Sequence, residues 1–323
     1  MVTEIEKNLV IGIDIGGTGT KIGVVDARGD ILARDEGIAT RAYSTFDAYI
    51  DDVYKAITRL ITATDSEGLI RGIGVGAPDS NYYTGNIEHA FNLPWKGVLP
   101  LAQMLSKKSG IPVRVTNDAN AAAIGEMTYG TAKGMKDFIV LTLGTGVGSG
   151  IVINGHLVYG CDGFAGELGH VTMVRGKEGR LCGCGRHGCL EAYCSATGVA
   201  RTAMEMLEKI NEPSLLRNIK EITSRDVYEA ARNNDKLARE IFEFTGNMLG
   251  EAIADFIAFS SPEAIILFGG LTRAGEYLLS PIKRSVDKNI LHTFKGKSKI
   301  LISQLKDSDA AILGASALAW ELN

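Results

Sequence analysis

No apolar run in the 323-residue chain approaches the roughly 20 residues that a helix needs to cross a bilayer. The opening residues, MVTEIEKN, are short and acidic-leaning, unlike a signal or transit peptide. No basic block stands out and the net charge is −4, so neither nucleic acid nor a membrane surface is expected as a partner. Cysteines number only five, and their clustering fits a reducing cytoplasm better than a disulfide scaffold. A Walker A motif is missing, because no Lys-Ser or Lys-Thr follows a glycine turn into a helix. Linkers, low-complexity tracts and heptad arrays are also absent. What remains is a chain with 45% apolar residues, ordinary for a globular protein and long enough for two domains.

Three of the five cysteines, Cys182, Cys184 and Cys189, crowd one glycine-rich stretch, GELGHVTMVRGKEGRLCGCGRHGCLE, from Gly166 to Glu191. Disulfides suit this spacing badly: near neighbours would be strained and one thiol left over. Three thiolates and an imidazole suit tetrahedral Zn²⁺. His170 is the preferred fourth ligand, because Glu167 and Gly169 beside it look like part of a pocket; His187, inside the loop, is the alternative. Cys161 and Cys194 read as small hydrophobes in or near the core.

Taken in order, the chain opens with a buried strand over Leu9–Ile15, a glycine turn within Asp14–Lys21, and strands over Ile22–Asp26 and Ile31–Arg34. Apolar residues at helical spacing predict an amphipathic helix from Thr45 to about Thr64. A buried strand over Ile73–Ala77 leads to an irregular stretch, Pro78–Trp95, whose Tyr82, Tyr83, Asn92 and Trp95 suit either a sugar or plain packing. Strand Val113–Thr116 runs into Asn117-Asp118 and the helix Ala119–Tyr129. At Phe138 the opening pattern returns: strand Ile139–Leu143, a glycine turn Gly144–Gly150, strand Ile151–Ile153, the hairpin turn Asn154-Gly155 and a third strand, Leu157–Tyr159. The repeat predicts duplicated domains. Helices follow near Ala196–Glu208, Ser224–Asn233 and Lys236–Phe259, then strand Ala264–Phe268 ending in Gly269-Gly270, strand Ile300–Ser303 and a closing helix, Ala310–Trp320.

Both glycine turns join strand to strand, so their backbone N–H groups can cradle phosphates without a helix. Asp14, leading the first, is placed to hold Mg²⁺ through water, since that ion keeps most of its hydration shell. The string G-x-G-x-x-G at Gly183, Gly185 and Gly188 lies inside the cysteine loop, with no strand before it or helix after it, and does not read as a dinucleotide site.

The motifs DIGGTGTK (Asp14–Lys21), TNDANAAAIGE (Thr116–Glu126), LGTGVGSG (Leu143–Gly150), GELGH, CGCGRHGCLE and FGG (Phe268–Gly270), in this order, resemble the ROK family within the actin/hexokinase-type ATPase superfamily. The resemblance implies an α/β fold of two ribonuclease-H-like domains around a central cleft. The first would comprise residues 1–117 plus 305–323, the second 118–304. It also implies that Asp14, Gly16, Gly17, Thr18, Thr20 and Lys21, with Gly144, Thr145, Gly146 and Gly148, bind ATP phosphates, and that Gly269, Gly270 and Leu271 lie by the adenosine. Asp118 matches the catalytic base, and Asn92, Asn117, Glu167, His170 and Glu191 match contacts to sugar hydroxyls. Cys182, Cys184, Cys189 and His170 match the ligands of a structural Zn²⁺. Where many members have Gly after the substrate-loop proline, this chain has Asp79, which puts a backbone contact to sugar in question. The three-cysteine loop resembles the glucokinase and N-acetylmannosamine kinase branches.

The expected activity is phosphorylation of a hexose at its 6-hydroxyl, glucose first, with ATP and Mg²⁺, in a cytoplasmic homodimer. Kinases of N-acetylmannosamine, other amino sugars or fructose are the alternatives. A sugar-sensing regulator of the family would need a helix-turn-helix before the first strand, and only eight residues precede Leu9. An actin-like filament or chaperone ATPase would have no use for the cysteine loop.

Overall fold

The computed structural model describes residues 7–90, 92–306 and 309–322. The chain divides into two compact units, Met1–Gly134 with Leu157–Gly166 and Gln304–Asn323, and Met135–His156 with Glu167–Ser303.

The first unit contains β1 (Leu9–Ile15), β2 (Thr20–Asp26), β3 (Ile31–Ile38), α1 (Phe46–Ala63), β4 (Ile70–Gly76), the short pair β5 (Ile87–Glu88) and β6 (Val98–Leu99), α2 (Leu101–Ser109), β7 (Val113–Thr116) and α3 (Asp118–Thr128). The closing helix, Ala310–Ala319, completes it. Its main sheet has the order β3-β2-β1-β4-β7, with β1, β2 and β3 antiparallel and β4 and β7 parallel to β1. β1 is buried on both faces. Ile11, Ile13 and Ile15 pack with Tyr49, Ile50, Val53 and Ile57 of α1, while Val10 faces Ile312 and Leu313 of the closing helix. α1 shows one apolar stripe and starts at Thr45, whose hydroxyl caps the Ala48 N–H.

The closing helix is apolar all round, as a helix must be when protein surrounds it. Its seat is a row of strand glycines in register across three strands, Gly23, Gly12 and Gly74. A Cβ on Gly12 would fall on the Ile312 carbonyl oxygen, and one on Gly74 on that of Ala315. Backbone meets backbone here, so Gly74→Ala is expected to destabilise the protein by about 1–3 kcal/mol through overpacking. The exposed Gly37→Ala, whose new methyl meets nothing closer than 3.4 Å, serves as control in urea unfolding. Equal midpoints for the two variants would contradict this packing.

The second unit contains β8 (Phe138–Leu143), β9 (Val147–Ile153), β10 (His156–Leu157), α4 (Glu191–Cys194), α5 (Ala196–Lys209), α6 (Ser224–Arg232), α7 (Lys236–Ser260), β11 (Ala264–Phe268), α8 (Glu276–Asn289) and β12 (Lys299–Ile302). Its sheet order, β10-β9-β8-β11-β12, repeats the plan of the first: an antiparallel pair continued by parallel strands. Asn154 (φ 53°) and Gly155 (φ 77°) form the two-residue hairpin turn that their sequence predicts.

Two expectations change, and one open choice is narrowed. The first unit takes in α3 and 157–166, where the sequence reading divides the chain at 117/118. The reason is packing: Gly125 of α3 lies against the backbone of Gly314, Asn81 Nδ2 donates to the Asp162 carbonyl at 2.8 Å, and Tyr82 stacks on Tyr159 at 3.8 Å. Tyr82, Tyr83 and Trp95 have partners within the protein. Trp95 is buried against Phe46 and Tyr49, and the Tyr83 hydroxyl donates to the Gly160 carbonyl. Of the two bystander thiols, Cys194 is buried but Cys161 is exposed.

Candidate functional site

In the first unit, β1 delivers Asp14 opposite Lys21 of β2, and the four residues between the strands close on the Gly16 N–H to Gly19 carbonyl bond. Thr18 is exposed at the tip. Thr20 is different: it is buried in β2, and its hydroxyl is taken up by Tyr49 (2.7 Å) and Thr40 (3.2 Å), so that side chain is not presented to a ligand. Gly17 lies against the backbone of Asn92, whose buried Oδ1 has no partner among the described residues. A buried acceptor in that state is short of a donor. Arg41 was not legible as a site residue. It follows an unremarkable strand, yet its Nε donates to the Gly17 carbonyl at 3.0 Å, which puts a cation beside the turn.

Asp118 stands in the first turn of α3, directly after β7. Asn117 caps that helix by accepting the Asn120 N–H at 2.6 Å, and Asp118 Oδ1 accepts the Ala119 N–H at 2.8 Å. The Asp118 side chain touches solvent, but protein crowds it on its other sides. The resulting desolvation raises its pKa despite the backbone N–H bond. Asp14 is pushed up to about 6 by burial first and then by the charge of Asp118, with Lys21 opposing. Asp79 is raised by burial and by Asp118 as well. Asp79 adopts φ +50°, a left-handed conformation that glycine takes freely and aspartate takes more readily than most residues. The loop therefore keeps a glycine-like backbone and adds a carboxylate near Asp118.

In the second unit the glycine turn is shorter than the sequence suggests. Leu143 already pairs with Val147, the Gly144 N–H bonds the Gly146 carbonyl, and Gly148 lies inside β9 with its N–H on Thr142 Oγ1. Glu191 Oε2 accepts the Val147 N–H at 3.0 Å, and a Cβ on Gly146 would run into it. Gly269 has φ +104° and lets the chain leave β11 across the Leu143 carbonyl. Gly270 and buried Leu271 then line one side of a cavity of about 270 Å³, with Ser224, Arg225 and Tyr228 of α6 opposite. Nothing in the capped, charged sequence of α6 marks it as the wall of a cavity.

The loop Glu167–Glu191 gathers its thiols by tight turns. Cys182 N–H bonds the Arg186 carbonyl, Gly185 N–H bonds the Cys182 carbonyl, and Gly185 and Gly188 take φ +84° and +79°. The ligand atoms of His170, Cys182, Cys184 and Cys189 all lie within 4.8 Å of one another. Cys184 Sγ and Cys189 Sγ are 3.7 Å apart, close to the edge of about 3.8 Å that a tetrahedron of Zn–S bonds requires. His170 turns Nδ1 to Cys182 (3.8 Å) and Nε2 to Glu167 (3.9 Å). His187 is excluded from the cluster, with its Nδ1 at the Gly179 carbonyl (2.8 Å). Burial pushes the Cys182 thiol up to about 12, so holding it as thiolate calls for a cation. The donor set fits Zn²⁺ with no fourth place left for water.

The ROK family profile matches residues 10–321. A glucokinase from Halalkalibacterium halodurans is 36% identical over 313 residues, 95% of this chain and 94% of its own. The crystal structure of a ROK family glucokinase from Streptomyces griseus, in complex with glucose and AMPPNP, is 34% identical, with a TM-score of 0.79 over 97% of this chain and 99% of that one. A ROK family transcriptional regulator, a homologue of the E. coli MLC protein, is 25% identical with a TM-score of 0.85, over 97% of this chain and 78% of its own. The α/β fold is that of the ROK kinases, and the chain belongs to the ROK family.

Proposed function

We propose that the protein is a glucokinase, transferring the γ-phosphoryl group of ATP to the 6-hydroxyl of glucose. The observation that carries this reading is Asp118: a carboxylate fixed by the Ala119 N–H where a strand meets a helix, in the same unit as a phosphate-type glycine turn. The near full-length likeness to glucokinases supports it.

A primary hydroxyl barely ionises at neutral pH. Asp118 aligns it and takes its proton as the oxygen–phosphorus bond forms. Backbone donors of Gly16–Thr18 and Gly144–Gly146 hold phosphate oxygens, and Lys21 and Arg41 add positive charge. Magnesium bound with ATP neutralises phosphate charge, and Asp14 would hold that ion through water. Gly270 and Leu271, with Arg225 and Tyr228, form the adenosine cavity. Asn92, Asn117, Glu167, His170 and Glu191 bind sugar hydroxyls. His170, Cys182, Cys184 and Cys189 would hold a Zn²⁺ ion, which would fix the His170 ring for contact with a sugar hydroxyl. The reduced thiols suit a cytoplasmic protein that works in glucose catabolism, and we propose a homodimer.

A coupled assay of ADP release over glucose, mannose, fructose, N-acetylglucosamine and N-acetylmannosamine tests the reading. Glucose is expected to give the highest kcat/KM. A clear preference for N-acetylmannosamine would move the assignment to that sugar. Sugar binding without ADP release would make the protein a sensor like the regulators of its family.

A further inference from the structure

Three hydrogen bonds tie the turn between β8 and β9 to one short segment, Glu191–Thr197. The Ala196 N–H donates to the Gly144 carbonyl at 2.8 Å, the Thr197 hydroxyl donates to the Thr145 carbonyl at 2.8 Å, and Glu191 accepts the Val147 N–H at 3.0 Å. The segment is stiff. Ser195 Oγ bonds the Glu191 carbonyl (2.7 Å) and the Thr197 hydroxyl (2.9 Å), and accepts the Gly198 N–H (3.0 Å). It also begins immediately after the cysteine loop. Cys189 is two residues before Glu191, Leu190 N–H bonds the Val171 carbonyl at 2.9 Å, and Ala192 N–H bonds that of Cys189 at 3.0 Å. From Cys189 to the turn, each step of the chain is bonded to the next.

We infer that the Cys/His centre braces the nucleotide turn, with Thr197 and Glu191 as the positioning residues that transmit the brace. The inference rests on the reading of Gly144–Gly146 as part of the ATP site. Backbone donors stabilise phosphate only when they are aimed beforehand, and a turn that wanders binds in proportion to its competent fraction. The metal loop therefore serves the nucleotide as well as the sugar. A Cβ at position 146 would push the Glu191 carboxylate away from the Val147 N–H.

The test is calorimetric binding of a non-hydrolysable ATP analogue with magnesium, in the absence of sugar. The samples are the wild type, Thr197→Val, Thr197→Ser, and wild type freed of zinc with magnesium restored. Metal content and circular dichroism are checked in each. Thr197→Val is expected to weaken binding about fivefold, the worth of one hydrogen bond, with zinc content and glucose affinity unchanged. Thr197→Ser, which keeps the hydroxyl, is expected to bind like the wild type. The metal-free protein is expected to lose about tenfold or more. Unchanged affinity in Thr197→Val, or in folded metal-free protein, would overturn the inference alone. If the metal-free protein melts, Thr197→Val against Thr197→Ser decides. A wild type that binds no ATP analogue would overturn the nucleotide-site reading, and the inference with it.

Discussion

Asp118→Asn is expected to lower kcat by about two to four orders of magnitude, with glucose and ATP affinities little changed. The amide keeps the acceptor for the Ala119 N–H, so α3 keeps its start, but it cannot take a proton. The pH dependence follows from the same charges. Asp14 ionises at about 6 and Asp118 above the usual carboxylate range, so kcat/KM of the wild type is expected to fall as pH drops through about 6. Stability should move the opposite way. A carboxylate whose folded pKa is raised stabilises the fold while protonated, and that contribution is lost as pH rises through the folded value. For Asp14 the window runs from its ordinary 3.8 to about 6. Removing the Asp118 charge lowers the Asp14 pKa. The variant is therefore expected to have a higher urea midpoint than the wild type at pH 7, and a similar one below pH about 4. Near-normal turnover would remove Asp118 from the chemistry. A lower midpoint at pH 7 would show that the carboxylate is stabilised by something other than its neighbouring charges and the Ala119 N–H.

The second large effect concerns the cysteine loop. Stripping the metal, or Cys184→Ser, is expected to raise KM for glucose about tenfold to hundredfold and to lower the melting temperature. Between Glu167 and Glu191 the chain forms little regular structure beyond the 3-10 turn Leu168–His170 and isolated bridges at Thr172–Cys189 and Leu181–His187. Its order depends on turns and on the four convergent ligands. Without the ion, the polar contacts of the His170 ring to Cys182 (3.8 Å) and Glu167 (3.9 Å) are both longer than a normal hydrogen bond. Its ring is then free to rotate, and a sugar hydroxyl must restrain it at the expense of affinity. Elemental analysis, glucose titration and thermal melting check the three parts separately. Full glucose affinity in verified metal-free protein would refute the positioning role.

Much of this was legible because the chemistry is written in short motifs. Apolar strands ending in Asp-x-Gly-Gly or Gly-Thr-Gly announce their turns, and Cys-x-Cys with a nearby third Cys announces a cluster of convergent thiols. Boundaries were harder. Gly148 reads as turn because glycine is common there, yet pairing with Thr142 carries it into β9. Thr20 reads as a phosphate contact, but strand alternation turns it inward to Tyr49. Gly12, Gly23 and Gly74 carry no signal until the closing helix, some 240 to 300 residues away, is seen to lie on them. The same holds for Tyr82, whose partner Tyr159 lies beyond the end of α3 and three further strands. Long-range packing of this kind leaves no local pattern, so the aromatics of the 78–95 stretch looked as suited to a sugar as to a core.

Phosphoryl transfer from ATP to the glucose 6-hydroxyl is the defining reaction of the proposed glucokinase. Phosphorus NMR of the protein with glucose, ATP and magnesium follows it atom by atom. Glucose 6-phosphate and ADP growing in equal amounts, with neither formed by Asp118→Asn on the same timescale, is the predicted result. ATP that stays intact, or that yields inorganic phosphate while glucose remains unchanged, would contradict it.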